Sequence, residues 1–179
     1  LFMLLVNFIA PVFLMPVFNH FQPLRPGPIR DAVLSLARAN GVTAQDVYWF
    51  DASKQTTRIS ANVSGLGNTM RISLNDNLLG KTSLPEINAV MAHELGHYVL
   101  NHPFKLVLQM GLVLTAGFAF TQWAQRRLVA RWGSAWGLRG PDDVAGLPVV
   151  IALLSVWFFL MTPVTNSIVR IAESEADMF

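Results

Sequence analysis

His93-Glu94-Leu95-Gly96-His97 is the stretch of this 179-residue sequence from which its architecture can be read outward. It is an H-E-x-x-H arrangement, which zinc hydrolases place on a helix to hold the metal and carry a catalytic base. Residues four apart on a helix lie on one face, one turn apart, so the two imidazoles can converge on a single ion. Glu94 is offset by about 100° around the helix. That offset makes it a poor third ligand but brings it within reach of a water on the ion. The plainer reading is an ordinary polar helix face. The sequence has only four histidines and is 53% hydrophobic, so a His pair enclosing a Glu between Met91-Ala92 and Tyr98-Val99-Leu100 points to a metal site instead.

The flanking residues predict the helix without the motif. Ser83 and Glu86 have capping-box spacing, Pro85 falls in the first turn, and Pro103 marks the stop. Ile87, Val90, Met91, Leu95 and Tyr98 recur at helical spacing as a buried stripe, leaving His93 and His97 together on an adjacent face.

A catalytic zinc site usually has three protein ligands and one open position, so a third ligand is needed. The sequence contains no cysteine, which excludes thiolate ligation, disulfides and a cysteine nucleophile. His102, nine residues after His93, is read as lying on the opposite side of the helix, and His20 stands in an irregular stretch. The segment Arg170-Ile171-Ala172-Glu173-Ser174-Glu175-Ala176-Asp177 offers better candidates. On a helix Glu173 and Asp177 share a face, and Glu175 points nearly the opposite way. The spacing suggests that Glu173 ligates zinc, that Asp177 accepts the outer N–H of a ligating histidine, and that Glu175 is a solvated bystander. Taken alone the segment reads as an acidic helix surface; the upstream motif makes a ligand helix the better reading.

Hydropathy bears on whether these segments can meet. Residues 104–123 form an apolar run of about the length that spans a bilayer, with Lys105 close enough to the end to snorkel. A second run covers 147–163 and can continue through Pro163 toward Ile171 with a kink. Two crossings return the chain to the side it left, so a hairpin brings His93, His97 and Glu173 to one membrane face. Residues 1–18 are apolar apart from Asn7 and lack a basic leader, and they are read as the end of another membrane helix rather than a signal peptide. A start at Leu1 and a stop inside a helix at Phe179 suggest a piece of a longer protein.

Residues 19–103 make a small soluble α+β region. Ile29 to Asn40 has amphipathic helical spacing closed by Gly41, Val47 to Asp51 is β-prone, and 58–64 and 70–74 alternate as a hairpin around Gly65-Leu66-Gly67-Asn68. An exposed strand beside a metal helix can bind substrate backbone by β-augmentation, reading extended chain irrespective of sequence, although a purely structural sheet fits the same pattern.

These features together resemble the membrane zinc metallopeptidases that include the CAAX prenyl proteases and the HtpX heat-shock proteases. The resemblance rests on His93-Glu94-Leu95-Gly96-His97, the hydrophobic hairpin, Asn166 to Arg170 leading into Glu173-x-x-Ala176-Asp177, and the sheet region from Asp51-Ala52-Ser53-Lys54 through Gly65 to Leu78-Leu79; it covers most of residues 45–179. It implies that His93, His97 and Glu173 hold one Zn2+ per chain, that Glu94 is the catalytic glutamate, and that Asp177 is the supporting acid. The family often has an Asn-Ala pair in the strand facing the substrate; Ser60-Ala61 stands there in this sequence, and Ser60, Ala61 and Asn62 are the candidate substrate contacts. The expected fold is a mainly α membrane protein with a small α+β zincin-like catalytic region, its H-E-x-x-H helix and second ligand helix (164–179) joined by a transmembrane hairpin.

The expected activity is hydrolysis of peptide bonds by a zinc-activated water. Glu94 takes the proton of that water and passes it to the leaving amine, serving as base and then acid. The substrate is a polypeptide, including membrane-associated or lipid-modified ones, with a role in CAAX processing or membrane-protein quality control. A net charge of +2 gives no case for a nucleic-acid partner. The connecting segment 124–146 carries Arg126, Arg127, Arg131 and Arg139. By the positive-inside rule these place the loop in the cytoplasm and the metal site outside, whereas the resemblance implies a site at the cytoplasmic face of a multi-pass protein, which is the expectation adopted. An interfacial helix from Gln122 to Trp132 reconciles the two. The competing class is a non-catalytic membrane module in which zinc only staples hairpin to sheet, and in it Glu94 is dispensable.

Overall fold

The computed structural model describes residues 19–65 and 70–179; the expected membrane segment at 1–18 lies outside them, as do residues 66–69 and with them most of the turn expected at Gly65-Leu66-Gly67-Asn68. The chain divides into two compact units, one running through Lys105 and taking in Ile171–Phe179, the other Leu106–Arg170.

In the first unit, β1 (Phe21–Pro23), α1 (Pro28–Ala39), β2 (Val47–Phe50), β3 (Ala61–Ser64), β4 (Arg71–Asn75), α2 (Asp76–Lys81) and α3 (Leu84–Val99) follow in order. The sheet runs β1-β2-β4-β3. β1 and β2 are antiparallel, β2 and β4 parallel with Val47 opposite Ile72, and β3 and β4 antiparallel with Ala61 opposite Leu74. The sequence reading anticipates the β3–β4 hairpin but not β1, α2 or the parallel pairing, which joins segments that have no local signature.

One face of the sheet, bearing Val47, Ala61, Ile72 and Leu74, packs on Val33, Leu34 and Ala37 of α1 and on Ile87, Met91 and Leu95 of α3. The α3 stripe is therefore the one expected from its spacing: Ile87, Met91 and Leu95 are fully buried, and Val90 and Tyr98 are partly so. Its N-terminus carries the Ser83/Glu86 capping box and Pro85 in the first turn, which satisfies backbone donors that a bare helix end would leave open. Gly41, at φ 72°, follows α1 in the left-handed conformation that favours glycine past a helix end.

The edge position of β3 is secured from an unexpected quarter. Buried Asn75 accepts from the backbone N–H of Ser60 (3.0 Å) and of Leu78 (2.9 Å), and donates to the carbonyl of Arg58 (2.7 Å). One side chain thus caps α2 and clamps the approach to β3. Residues 58–60 are consequently held outside the regular strand, which begins only at Ala61.

The second unit is built from two long helices, α4 (His102–Trp132) and α5 (Leu147–Asp177), whose ends extend into the first. Both are long and apolar enough to cross a membrane. The expected division into a span ending at 123 and a separate helix from Gln122 is not what forms: α4 runs on unbroken to Trp132. Gln122 to Trp132 contains no Gly or Pro, and its Ala, Gln, Arg and Leu residues favour helix, so nothing stops it before Gly133. By contrast α5 passes through Pro163, the continuation the hydropathy reading allows, and runs on to Asp177, so that 147–163 and most of 164–179 form one helix. Between the two helices, Trp157 Nε1 donates to the Val113 carbonyl (3.1 Å), and its indole fills the space over Gly117, where a Cβ would lie 2.6 Å from that nitrogen. Phe120 stacks on the same ring at 5.4 Å.

Candidate active site

Helical geometry brings the two histidines of α3 together, and tertiary packing adds the rest. His93 Nε2 and His97 Nε2 are 3.0 Å apart, and Glu173 Oε2, from the last turns of α5, is 3.3 Å from the first and 3.6 Å from the second. Among the described residues this is the group of His, Asp and Glu side chains that could hold a metal ion. Tetrahedral zinc with ligand distances of about 2.0–2.1 Å needs ligand atoms about 3.3–3.4 Å apart. The three measured separations bracket that value, so the donor set and its spacing fit zinc.

Each histidine turns its other nitrogen outward to a partner. His93 Nδ1 is 2.8 Å from Asp177 Oδ1, the contact expected of Asp177 from the sequence. His97 Nδ1 is 2.8 Å from His102 Nδ1, and His102 Nε2 is 2.9 Å from Glu175 Oε2. Two sequence readings are thereby corrected. His102 is not on the far side of the metal helix, because α3 ends at Val99 and Asn101, at φ 58°, turns the chain sharply before α4 begins. His102 is thus the first residue of a new helix, almost fully buried at 1% exposure, with its ring folded back onto His97. Glu175 is not a bystander: it bonds His102 and lies 3.5 Å from Lys105 Nζ. The missed signal was Leu100-Asn101 ahead of Pro103, which together read as one helix stopping and another starting.

Glu94 lies between His93 and His97 in sequence and outside the metal-competent triad. Burial pushes its carboxyl above the usual range, Glu173 pushes the same way, and His93 opposes both. Burial likewise holds the His97 imidazole below its ordinary 6.5, with the neighbouring His93 and His102 adding to that effect against Glu173. A neutral imidazole is the form that can ligate a metal.

Gly96 lets the ligand helices approach. A Cβ there would stand 3.3 Å from Ala176 Cα and 3.0 Å from Phe179 Cβ, and Ala172 and Ala176 on the facing turns are buried. Gly96→Val is expected to destabilise the protein by about 1–3 kcal/mol through overpacking. It also lowers zinc retention by moving Glu173 away. Thermal unfolding and metal analysis of the purified variant check both effects, and an unchanged melting point with full zinc content would show that the contact is not needed.

Of the candidate substrate residues, Ala61 and Asn62 lie on β3 and Ser60 just before it. β3 is an edge strand and packs against α3, the helix bearing His93, Glu94 and His97.

A family model described as Peptidase family M48 matches residues 23–179. The uncharacterized metalloprotease YhfN of Bacillus subtilis is 36% identical over 178 residues, 99% of this chain and 42% of that protein. CAAX prenyl protease 1 of Saccharomyces cerevisiae is 41% identical over 101 residues, 56% of this chain and 22% of that one. The crystal structure of S. mikatae Ste24p superposes with a TM-score of 0.73 at 29% identity, covering 97% of this chain and 44% of the other. The chain therefore spans less than half the length of each relative. The matched region takes in both helices that carry the metal-competent cluster, and by that match the chain belongs to peptidase family M48.

Proposed function

We propose that the chain carries the catalytic centre of a zinc-dependent, membrane-embedded endopeptidase. The observation that carries this reading is the triangle of His93 Nε2, His97 Nε2 and Glu173 Oε2, with sides of 3.0, 3.3 and 3.6 Å. Those three atoms hold one Zn2+, and Asp177 fixes the ring of His93. When bound, the metal supplies a Lewis acid that polarises a peptide carbonyl and acidifies a water. Glu94, its proton affinity raised by burial, takes the proton as the water oxygen adds to the carbonyl carbon. It then delivers that proton to the amine nitrogen as the C–N bond breaks.

Substrate enters as an extended chain along β3. The Ser60 carbonyl accepts from the backbone N–H of Asn75 and the Ser60 N–H donates to the Asn75 side chain, so by antiparallel alternation in the β3–β4 register Asn62 and Ser64 also face β4, and Ala61 and Val63 direct their N–H and C=O groups to the open edge. This assignment modifies the expected contact set: Ala61 and Val63 offer backbone, and Ser60 and Asn62 flank it. A backbone-reading edge is indifferent to side-chain identity, which suits a peptidase whose cut is placed by something else, such as a chain terminus or a lipid group.

The protein is read as a multi-pass membrane protein, which is supported by two helices long and apolar enough to cross a bilayer and by side chains such as Leu108, Leu112, Phe118 and Phe159 exposed along them. Arg127 and Arg131 lie over the rings of Trp123 and Trp132 near the end of α4, the pairing expected at a headgroup layer. The active centre is assigned to the cytoplasmic face. The names of the yeast and other eukaryotic relatives favour C-terminal CAAX processing over general membrane-protein quality control.

The test is cleavage of a farnesylated CAAX peptide, its unmodified counterpart and an unfolded protein by the full-length protein in detergent. Activity is expected to disappear on chelation with dipicolinate and to return with stoichiometric zinc. Cleavage that survives complete zinc removal overturns the reading, and preference for the unfolded protein moves the role to quality control.

A further inference from the structure

We propose that His102 and Glu175 are positioning residues that hold His97 in the orientation and tautomer needed for zinc; this rests on the metal reading above and extends it to residues outside the triad. His97, His102 and Glu175 form one continuous chain of contacts. His97 Nε2 faces His93 and Glu173, so in the ligating form the ring proton sits on Nδ1. That N–H meets His102 Nδ1 at 2.8 Å. His102 Nδ1 must then accept, which leaves the proton of the second ring on Nε2, 2.9 Å from Glu175 Oε2. The carboxylate accepts it, with Lys105 Nζ at 3.5 Å on the same oxygen. Every donor along the relay has an acceptor, and the direction of donation is the same at each link.

The arrangement differs from that of His93, whose Nδ1 reaches a carboxylate directly at Asp177. His97 reaches its carboxylate through a neutral imidazole. Burial of His102 at 1% exposure keeps water from substituting for either contact, and the turn at Asn101 fixes where its ring stands. Glu173, Glu175 and Asp177 thus divide the work of a single helix end: one ligand and one anchor for each histidine.

The test uses the full-length protein in detergent. Zinc affinity is measured by chelator competition, and the d–d absorption spectrum of the cobalt-substituted protein reports ligand geometry apart from activity. His102→Leu removes the acceptor and leaves an apolar side chain in the buried site; it is expected to weaken zinc binding about 10- to 100-fold and to shift the cobalt bands. His102→Gln can still accept from His97 and donate to Glu175, and is expected to restore most of the affinity and the wild-type spectrum. Equal losses in the two variants would make His102 a packing residue and overturn the proposal, as would unchanged zinc affinity in His102→Leu. Should His102→Leu not fold, Glu175→Ala decides: altered cobalt bands support the relay, and an unchanged spectrum and affinity overturn it. A wild-type protein that binds no zinc is a different result, in which the metal reading itself fails.

Discussion

Glu94→Gln is expected to retain one zinc per chain and to lose peptide cleavage by about 10²- to 10⁴-fold, the range over which a positioned acid–base group contributes. Glutamine keeps the size and much of the hydrogen-bonding capacity of the side chain but cannot take up a proton. Glu94 lies outside the triad of His93, His97 and Glu173, so its neutralisation leaves the ligand set whole. The measurement is paired: kcat/KM on a peptide substrate and zinc by atomic absorption on the same preparation. Full cleavage by the variant would remove Glu94 from the mechanism, whereas wild type and variant that both bind zinc and cleave nothing would favour zinc as a structural staple. Loss of zinc together with activity would instead make Glu94 a ligand.

The second large effect separates Glu173 from Asp177, which share a helix face but are assigned different work. Glu173→Ala is expected to lower zinc affinity by more than the roughly 10- to 100-fold that follows from losing an outer partner, because it removes one of three direct ligands. Asp177→Ala falls within that range, since His93 keeps its Nε2 in the triangle and loses only the 2.8 Å contact at Nδ1. Both side chains are substantially exposed, Glu173 at 53% and Asp177 at 71%, so neither substitution opens a cavity and the comparison is not confounded by unfolding. Chelator competition on the two purified variants gives the order directly. An Asp177 variant that binds zinc more weakly than the Glu173 variant would reverse the assignment.

The two histidines and their separation from the packing stripe are properties of one helix. They follow from 3.6 residues per turn acting on Ile87, Met91, Leu95, His93 and His97, and a capping box at Ser83/Glu86 marks where that helix starts. The Glu173/Asp177 spacing is local in the same sense. Both long apolar helices were legible too, but their ends were not: α4 passes beyond Trp123 because the residues there still favour helix, and α5 runs through Pro163 to Asp177 as one helix. His102 was misread for a related reason. Its side depended on whether the helix continued past Val99, and the left-handed Asn101 that ends it is settled by a single residue's backbone conformation.

What the amino-acid order determined by itself, then, was α1, the metal helix α3 with its H-E-x-x-H pair, the two apolar segments without their ends and the hairpin of β3 and β4, all set by spacing over a few residues; α2 was not among them. The parallel partnership of β2 with β4, the edge position of β3, the approach of Glu173 to the histidines and the His97–His102–Glu175 contacts were decided only in the tertiary structure. The strands are joined by pairing over a shared core and the metal-competent residues by the close approach of Gly96 to Ala176, and packing of that kind has no periodicity along the sequence from which it could be read.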